Sequence, residues 1–364
     1  MVELRILVAS GASGGTSKGS VGKYYHLKEF SQYLEKFDIE CKLIRETDYV
    51  IGFPTKRIHK LVSNKNKLKK LIDDFKPDLV FTDGKGAFGL EVIKLGIPLF
   101  VLLRGDWWSL VEYSKDTIND NFFMRKVVDM RNDTANEVMS KATLLLPICN
   151  YLVDITKQHH PEQVMKVFIE GIESSKWHKT EGMKLEHPCV GLLQDANHWA
   201  KTKEMLVLEE VIEKMPDVSF YWAGDGEFKN KILSKLDKFK NFHWLGPLQY
   251  PDKVKDFLTE IDVYALLTGQ DTTPLSLKEA QLMEIPVLAT DFGGIPEIMS
   301  DGTTGYLIKK GNSADLIRKI SILLNNKKLS KEMGENGRKF IQKEFSLEAS
   351  AKNFLDIIKP YIEK

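Results

Sequence analysis

Short apolar runs alternate along this chain with stretches whose apolar residues recur at helical spacing. Runs of four to six apolar residues bounded by turn signals fit strands buried on both faces. In the first half the pattern predicts strands at Leu4–Ala9, Cys41–Ile44, Leu79–Thr82, Leu99–Leu103, Thr143–Pro147 and Lys166–Ile169. Helical spacing covers about Lys23–Lys36, Lys65–Phe75 and the region around Phe122–Ser140. Residues 172–187 are polar and aperiodic, which suits an interdomain linker. The alternation then restarts. It predicts strands at Cys189–Leu193, Ser219–Ala223, Phe242–Leu245, Val263–Leu267 and Val287–Thr290, with helices at Glu204–Lys214, Phe228–Phe239, Lys253–Glu260, Leu275–Met283 and Ala314–Asn325. Alternating strands and helices mean parallel sheets. The expected fold class is therefore α/β, with two doubly wound, Rossmann-like domains facing a central cleft. Residues 1–171 would form the first domain and 172–346 the second. A final helix, about 347–364, would pack back on the first.

Composition changes this picture little. With 364 residues, 43% hydrophobic and 28% charged, the chain has material for two ordinary cores. A net charge of +1 gives no global field that would favour nucleic acid. Cys41, Cys149 and Cys189 lie far apart without a CxxC pair, so neither a disulfide framework nor a zinc site is expected from them. The apolar run at the N-terminus is too short for a membrane span or a leader, so a cytoplasmic location is expected. The basic stretch 55–70 reads first as a solvated helix face. Its second reading is a weak peripheral contact with the inner membrane surface or a lipid-linked acceptor.

The richest chemistry lies in DTTPLSLKEAQLMEIPVLATDFGGIPEIMSDGTTGYL, 271–307. Thr273 is a good helix cap and Pro274 suits a first helical position, where its missing N–H costs nothing. The helix would then present free amides at Leu275 and Ser276, at the carboxyl end of a strand. That is an anion site, suited to a diphosphate. Asp271 precedes it and Glu279 lies about one turn in, so two carboxylates bracket the helix start. Carboxylates accept hydrogen bonds from hydroxyls, so the bracket suits a polyhydroxylated ligand carrying phosphate. A bland reading, in which both acids are merely solvated or capping, has about equal weight on local grounds.

This segment closely resembles the donor site of the retaining, GT-B-fold glycosyltransferases of the group 1 family. Their pattern is a carboxylate, seven residues, Glu, a short strand and a GG-x-P-E turn. Asp271 and Glu279 take the acidic positions, and Gly293, Gly294, Pro296 and Glu297 the turn. The resemblance implies that Asp271 contacts hydroxyls of a transferred sugar and Glu279 the ribose of a nucleotide. It implies catalysis with retention and without a cofactor, the donor being a nucleoside-diphosphate sugar. No Asp-x-Asp occurs, so no metal is expected. Asp271 departs from the family's usual Glu. Leu192 stands where an Arg usually holds phosphate, which leaves Lys203, or alternatively Lys201, as the phosphate lysine. The segment around Gly246 and Leu248 resembles the strand end that meets the base, and Gly14 and Gly15 fall in the loop after the first strand. Arg104 replaces the family's His beside Gly105. It would steady phosphate charge, with Asp106 contacting donor or acceptor hydroxyls, unless the two merely close a strand end as an ion pair. Trp107 and Trp108 offer sugar stacking or core packing. The first loop lacks G-x-G-x-x-G spacing, and no acid is seen to end the second strand, so a dinucleotide site is not predicted.

The expected activity is transfer of a hexose-type sugar to a glycan, lipid-linked or small-molecule acceptor. The rivals are a degenerate sugar-nucleotide-binding subunit without catalysis and a sugar-nucleotide epimerase.

Overall fold

A computed structural model describes residues 4–11, 18–50, 64–117 and 122–362. The chain divides into two compact units, Met1–Ile172 with Leu347–Lys364, and Glu173–Ser346.

The first unit runs β1 (Leu4–Ser10), α1 (Lys18–Leu34), β2 (Ile39–Arg45), α2 (Asn64–Phe75), β3 (Leu79–Thr82), α3 (Ala87–Lys94), β4 (Leu99–Leu103), α4 (Trp107–Thr117), α5 (Phe122–Lys141), β5 (Leu144–Pro147) and α6 (Asn150–His159). Its five strands are all parallel, in the order β2-β1-β3-β4-β5. In β1, Ile6, Leu7, Val8 and Ala9 are all fully buried, because the sheet is covered on both faces. Ile6 and Val8 face Leu27, Phe30 and Leu34 of α1, whereas Leu7 and Ala9 face a layer that includes Leu68 of α2 and Val138 of α5.

The second unit runs β6 (Cys189–Leu193), α7 (Trp199–Thr202), α8 (Leu208–Lys214), β7 (Ser219–Ala223), α9 (Lys229–Leu236), β8 (Phe242–Gly246), α10 (Asp252–Glu260), β9 (Val263–Leu266), α11 (Leu275–Leu282), β10 (Val287–Thr290), β11 (Gly305–Ile308), α12 (Ser313–Asn325) and α13 (Lys327–Glu344). These six strands are also parallel, in the order β11-β10-β9-β6-β7-β8. The last helix, α14 (Leu347–Ile362), belongs to the first unit. Ser350 Oγ donates to the Ile169 carbonyl at 2.6 Å, and the Ile169 amide donates to Asn353 Oδ1 at 2.9 Å.

Several sequence-based expectations are corrected. Lys166–Ile169 is not a strand. It runs beside β5 with one bridge, Leu145↔Met165, and Phe168 donates to the Pro147 carbonyl at 2.9 Å. Pro147 has no N–H to return the next bond, so the ladder stops there. The second strand extends to Arg45, and the buried acid Glu46 follows it. The predicted helix Glu204–Lys214 begins as a 3-10 turn at Lys203–Val207. Helix α11 opens at Leu275 as expected, but Pro274 is extended (φ −60°, ψ 129°) and precedes the first helical residue, and no side chain, Thr273 included, caps it.

Candidate functional site

In each sheet the strand order reverses beside the unit's first strand, and loops there diverge at the carboxyl ends. In the second unit this point lies between β6 and β9. Gln194, leaving β6, grips the exit of β9: its Nε2 donates to the Leu267 carbonyl at 3.0 Å, and its Oε1 accepts from the Leu267 amide at 3.3 Å. Gly269 then lies against α7, where any Cβ would meet the Ala200 carbonyl oxygen at 2.1 Å. The Gly269 amide donates to the Lys201 carbonyl at 3.0 Å. This close approach brings the Lys201 ammonium to 2.7 Å from Asp271 Oδ2. Burial opposes the Lys201 charge, but Asp271 and Asp195 outweigh it and hold the ammonium above its ordinary range.

Beyond Asp271 the chain enters α11. The Leu275 and Ser276 amides open the helix, where no carbonyl one turn earlier can accept them. The Ser276 hydroxyl lies 2.8 Å from that of Tyr264. Thr273 is buried, and its Oγ1 has no hydrogen-bond partner among the described residues. Glu279 is buried on α11. Burial pushes its carboxyl up to about 8, against the Tyr250 hydroxyl and the Lys278 ammonium, which pull it down. The strand–loop–helix thus gathers Asp271, Leu275, Ser276 and Glu279.

Lys203 lies elsewhere. Its side chain passes near Gly269, on the flank of the loop, and it does not share the Asp271 contact that Lys201 makes. It borders a surface depression lined also by Glu204, Glu209 and Glu210. Near it, the Lys310 ammonium lies 3.2 Å from the Phe292 ring centroid and donates to the Gly269 carbonyl. Burial and the Lys203 charge depress Lys310, with Glu204 opposing them. Leu192 is fully buried in the core of the unit, so that position presents no cation. Gly246 ends β8 with φ +71°, and its carbonyl accepts from the Gly224 amide at 2.9 Å. Leu248 is half-buried just beyond it, and Tyr250 continues from there to Glu279.

The first unit assembles a second group of charges at its own reversal point, between β1 and β3. Arg104 pairs with Asp83 (3.2 Å) and Glu170 (2.7 Å), not with Asp106. Asp106 instead opens α4, where both its carboxylate oxygens accept from Ser109. Trp107 and Trp108 donate to Asn132 and Asn136 of α5, and Trp108 stacks on His159 at 4.1 Å. Thr82 Oγ1 donates to Glu46 Oε1 at 2.5 Å. Burial pushes the Glu46 carboxyl up to about 7, with Asp83 adding to the rise and Thr82 and Lys85 opposing it. Gly14 and Gly15 lie outside the described residues, as does most of the basic stretch 55–70.

Sequence reasoning missed Glu46, Asp83, Tyr250, Lys310 and the buried Thr273 hydroxyl. Glu46, Asp83 and Lys310 share one signal: each is a charge within two residues of a strand's carboxyl end. Tyr250 has no such signal, since its contact with Glu279 is set by the fold alone.

Residues 193–340 match the family model described as glycosyl transferases group 1. The match covers most of the second unit, which is thus similar to that family. An uncharacterized glycosyltransferase of Methanocaldococcus jannaschii is 34% identical over 134 residues, which is 36% of this chain and 38% of that one. The chain matches only about a third of the length of its first curated relatives. The whole fold is that of sucrose-phosphate synthase from Thermosynechococcus elongatus, with TM-score 0.76, 13% identity and 98% of each chain covered. It is also that of Anabaena HepE, solved in complex with UDP-glucose, with TM-score 0.71, 14% identity and coverage of 98% of this chain and 99% of that one. The chain thus has a GT-B fold of a five- and a six-stranded parallel sheet. Among the described residues no helix is long and apolar enough to cross a membrane.

Proposed function

We propose that this chain is a retaining glycosyltransferase of the group 1 kind that moves a hexose-type sugar from a nucleoside-diphosphate sugar to a glycan, lipid-linked or small-molecule acceptor. The observation that carries the reading is the pair of carboxylates, Asp271 and Glu279, placed either side of the opening amides of α11. Departure of a nucleoside diphosphate develops negative charge. Preorganised donors aimed at that charge lower the barrier. The Leu275 and Ser276 amides, with Lys203 and Lys310 on the flank of the Gly269 loop, supply that positive potential without a metal. Asp271, steadied by Lys201, would accept from hydroxyls of the transferred sugar, and Glu279 from the ribose. The Thr273 hydroxyl, left without a partner, would complete the polar lining. Gly246 and Leu248 would border the base. Gly15, in the first unit, would let the backbone approach the donor closely, and Arg104 and Asp106 are assigned to the reacting centre on the acceptor side. Arg104 would hold charge through Asp83 and Glu170, and Asp106 would act mainly by fixing α4. The UDP-glucose held by HepE makes uridine diphosphate sugars the first donors to try.

The test is thermal denaturation against a panel of sugar nucleotides, followed by donor hydrolysis or transfer assays. A donor that binds the folded state raises Tm by mass action. Turnover that is lost in Asp271→Ala and Glu279→Ala supports the enzyme. Binding without turnover by the wild-type chain would favour a sugar-nucleotide-binding subunit. If no nucleoside diphosphate binds, the assignment fails.

A further inference from the structure

The amino ends of the second sheet, opposite to the ends that carry Asp271, hold a different cluster. Cys189 opens β6, and His187 stands two residues before it. Strands β6 and β9 pair at Val190↔Val263, so Asp262, just ahead of β9, lies across from Cys189. Asp262 Oδ2 accepts from the Cys189 amide at 2.8 Å and lies 2.8 Å from His187 Nδ1. Cys189 Sγ is 3.8 Å from the same nitrogen. Sulfur, nitrogen and carboxylate oxygen all fall within 4.8 Å of one another. On the other side of the ring, Glu260 Oε1 is 3.0 Å from Nε2.

We propose that His187, Cys189 and Asp262 form a binding site for a zinc-class divalent cation, with water as the fourth ligand. One thiolate, one imidazole and one carboxylate make a borderline-soft donor set, which zinc accepts in tetrahedral geometry and magnesium or calcium do not. Metal–sulfur and metal–nitrogen bonds of about 2.3 and 2.0 Å set ligand atoms roughly 3.3–3.6 Å apart. The oxygen–nitrogen and sulfur–nitrogen separations of 2.8 and 3.8 Å bracket that range, and the sulfur–oxygen separation is within 4.8 Å, so side-chain rotation about a fixed backbone closes the set. Glu260 supplies what a ligating histidine usually has behind it: a carboxylate that accepts a hydrogen bond from Nε2–H and so leaves the Nδ1 lone pair for the metal. The Asp262 carboxylate is likewise held, by the Cys189 amide. His187 and Asp262 are exposed and Cys189 is buried, so a cation enters from solvent and closes onto the sulfur.

On binding, the Cys189 S–H bond breaks, its proton goes to solvent and the sulfur electron pair goes to the metal. The cation ties the chain entering the second unit to the start of β9. It acts on the stability of that unit and not on the sugar chemistry at the other ends of the strands. Cysteine spacing gave no hint of this, because the partners of Cys189 are a residue two positions before it and one just ahead of β9, far along the chain.

The full chain, stripped with chelator, is titrated with cobalt(II). The expected result is one equivalent bound with a thiolate-to-cobalt charge-transfer band in the near ultraviolet. Cys189→Ser removes the band, whereas Cys41→Ser and Cys149→Ser keep it. Asp262→Asn, which still accepts from the Cys189 amide, weakens cobalt binding by at least about tenfold and guards against a serine variant that fails to fold. Zinc(II) displaces the cobalt and raises Tm. No charge-transfer band at saturating cobalt, or a band that survives in Cys189→Ser, overturns the site. This outcome is independent of whether the chain binds a sugar nucleotide.

Discussion

Burial holds the Glu279 carboxyl at about 8, far above its ordinary 4.5. The folded chain therefore keeps this proton through a window in which the unfolded chain has released it. The folded state binds more protons between about pH 4.5 and 8, so stability falls as pH rises across that range. Glu46 adds to the slope up to about 7. Glu279→Gln removes one of the two titrations. Denaturant melts from pH 5 to 8 should show the variant losing less stability than the wild type, by an amount on the order of a few kcal/mol. Equal slopes would mean that Glu279 is ionised in the folded chain. The second carboxylate, Asp271, lies 2.7 Å from the Lys201 ammonium. Under the proposed function, Asp271→Asn should cut kcat/KM by about 10²–10³ while donor still raises Tm, since the α11 amides are untouched. Loss of the Tm shift together with turnover would make Asp271 a binding group instead. The Asp271–Glu279 spacing was legible because both lie in one strand–loop–helix. Which lysine meets Asp271 was not, because the phase of α7 and the following 3-10 turn decides it.

At the scale of elements, buried strands were read well wherever an apolar run was unbroken, as at Leu79–Thr82 and Val287–Thr290. Strands and helices with mixed sequences were not. Strand β11 is only half-buried along its middle, and α13 shows few apolar residues. Helix α13 is held by glycine contacts that no hydrophobic pattern records. Gly334 faces Glu284, and a Cβ there would meet the Glu284 carbonyl oxygen at 2.1 Å. Gly337 faces Gln281, whose Nε2 donates to the Ile298 carbonyl at 2.9 Å and so ties α11 to the turn after β10. In an exposed helix, glycine to alanine stabilises by about 1 kcal/mol. Here the close backbone contact should reverse the sign, and Gly334→Ala should cost about 1–3 kcal/mol. Urea midpoints of the two chains decide it. A higher midpoint for the variant would show that α13 shifts to admit the methyl group.

At the scale of the whole molecule, the sequence places α14 after the second unit and the fold assigns it to the first. Phe354 of α14 lies among Phe30, Phe81 and Phe168, with ring centroids 5.4, 5.1 and 6.0 Å away. The first unit is therefore completed by residues that follow the whole of the second, whereas the second is continuous and has its own core. This asymmetry sets how each should respond to damage. Phe354→Ala leaves a cavity where three rings met and should cost about 3–5 kcal/mol, all of it in the first unit. The six tryptophans report both units, Trp107 and Trp108 in the first and Trp177, Trp199, Trp222 and Trp244 in the second. Denaturation of Phe354→Ala should split into an early transition, seen as loss of the Trp108–His159 stack, and a later one near the wild-type midpoint. A nucleoside diphosphate should move only the later transition, because α11 and its flanking lysines lie wholly within the second unit. A single transition displaced as a whole would instead mean that the two units unfold together, and that α14 couples them rather than merely closing one.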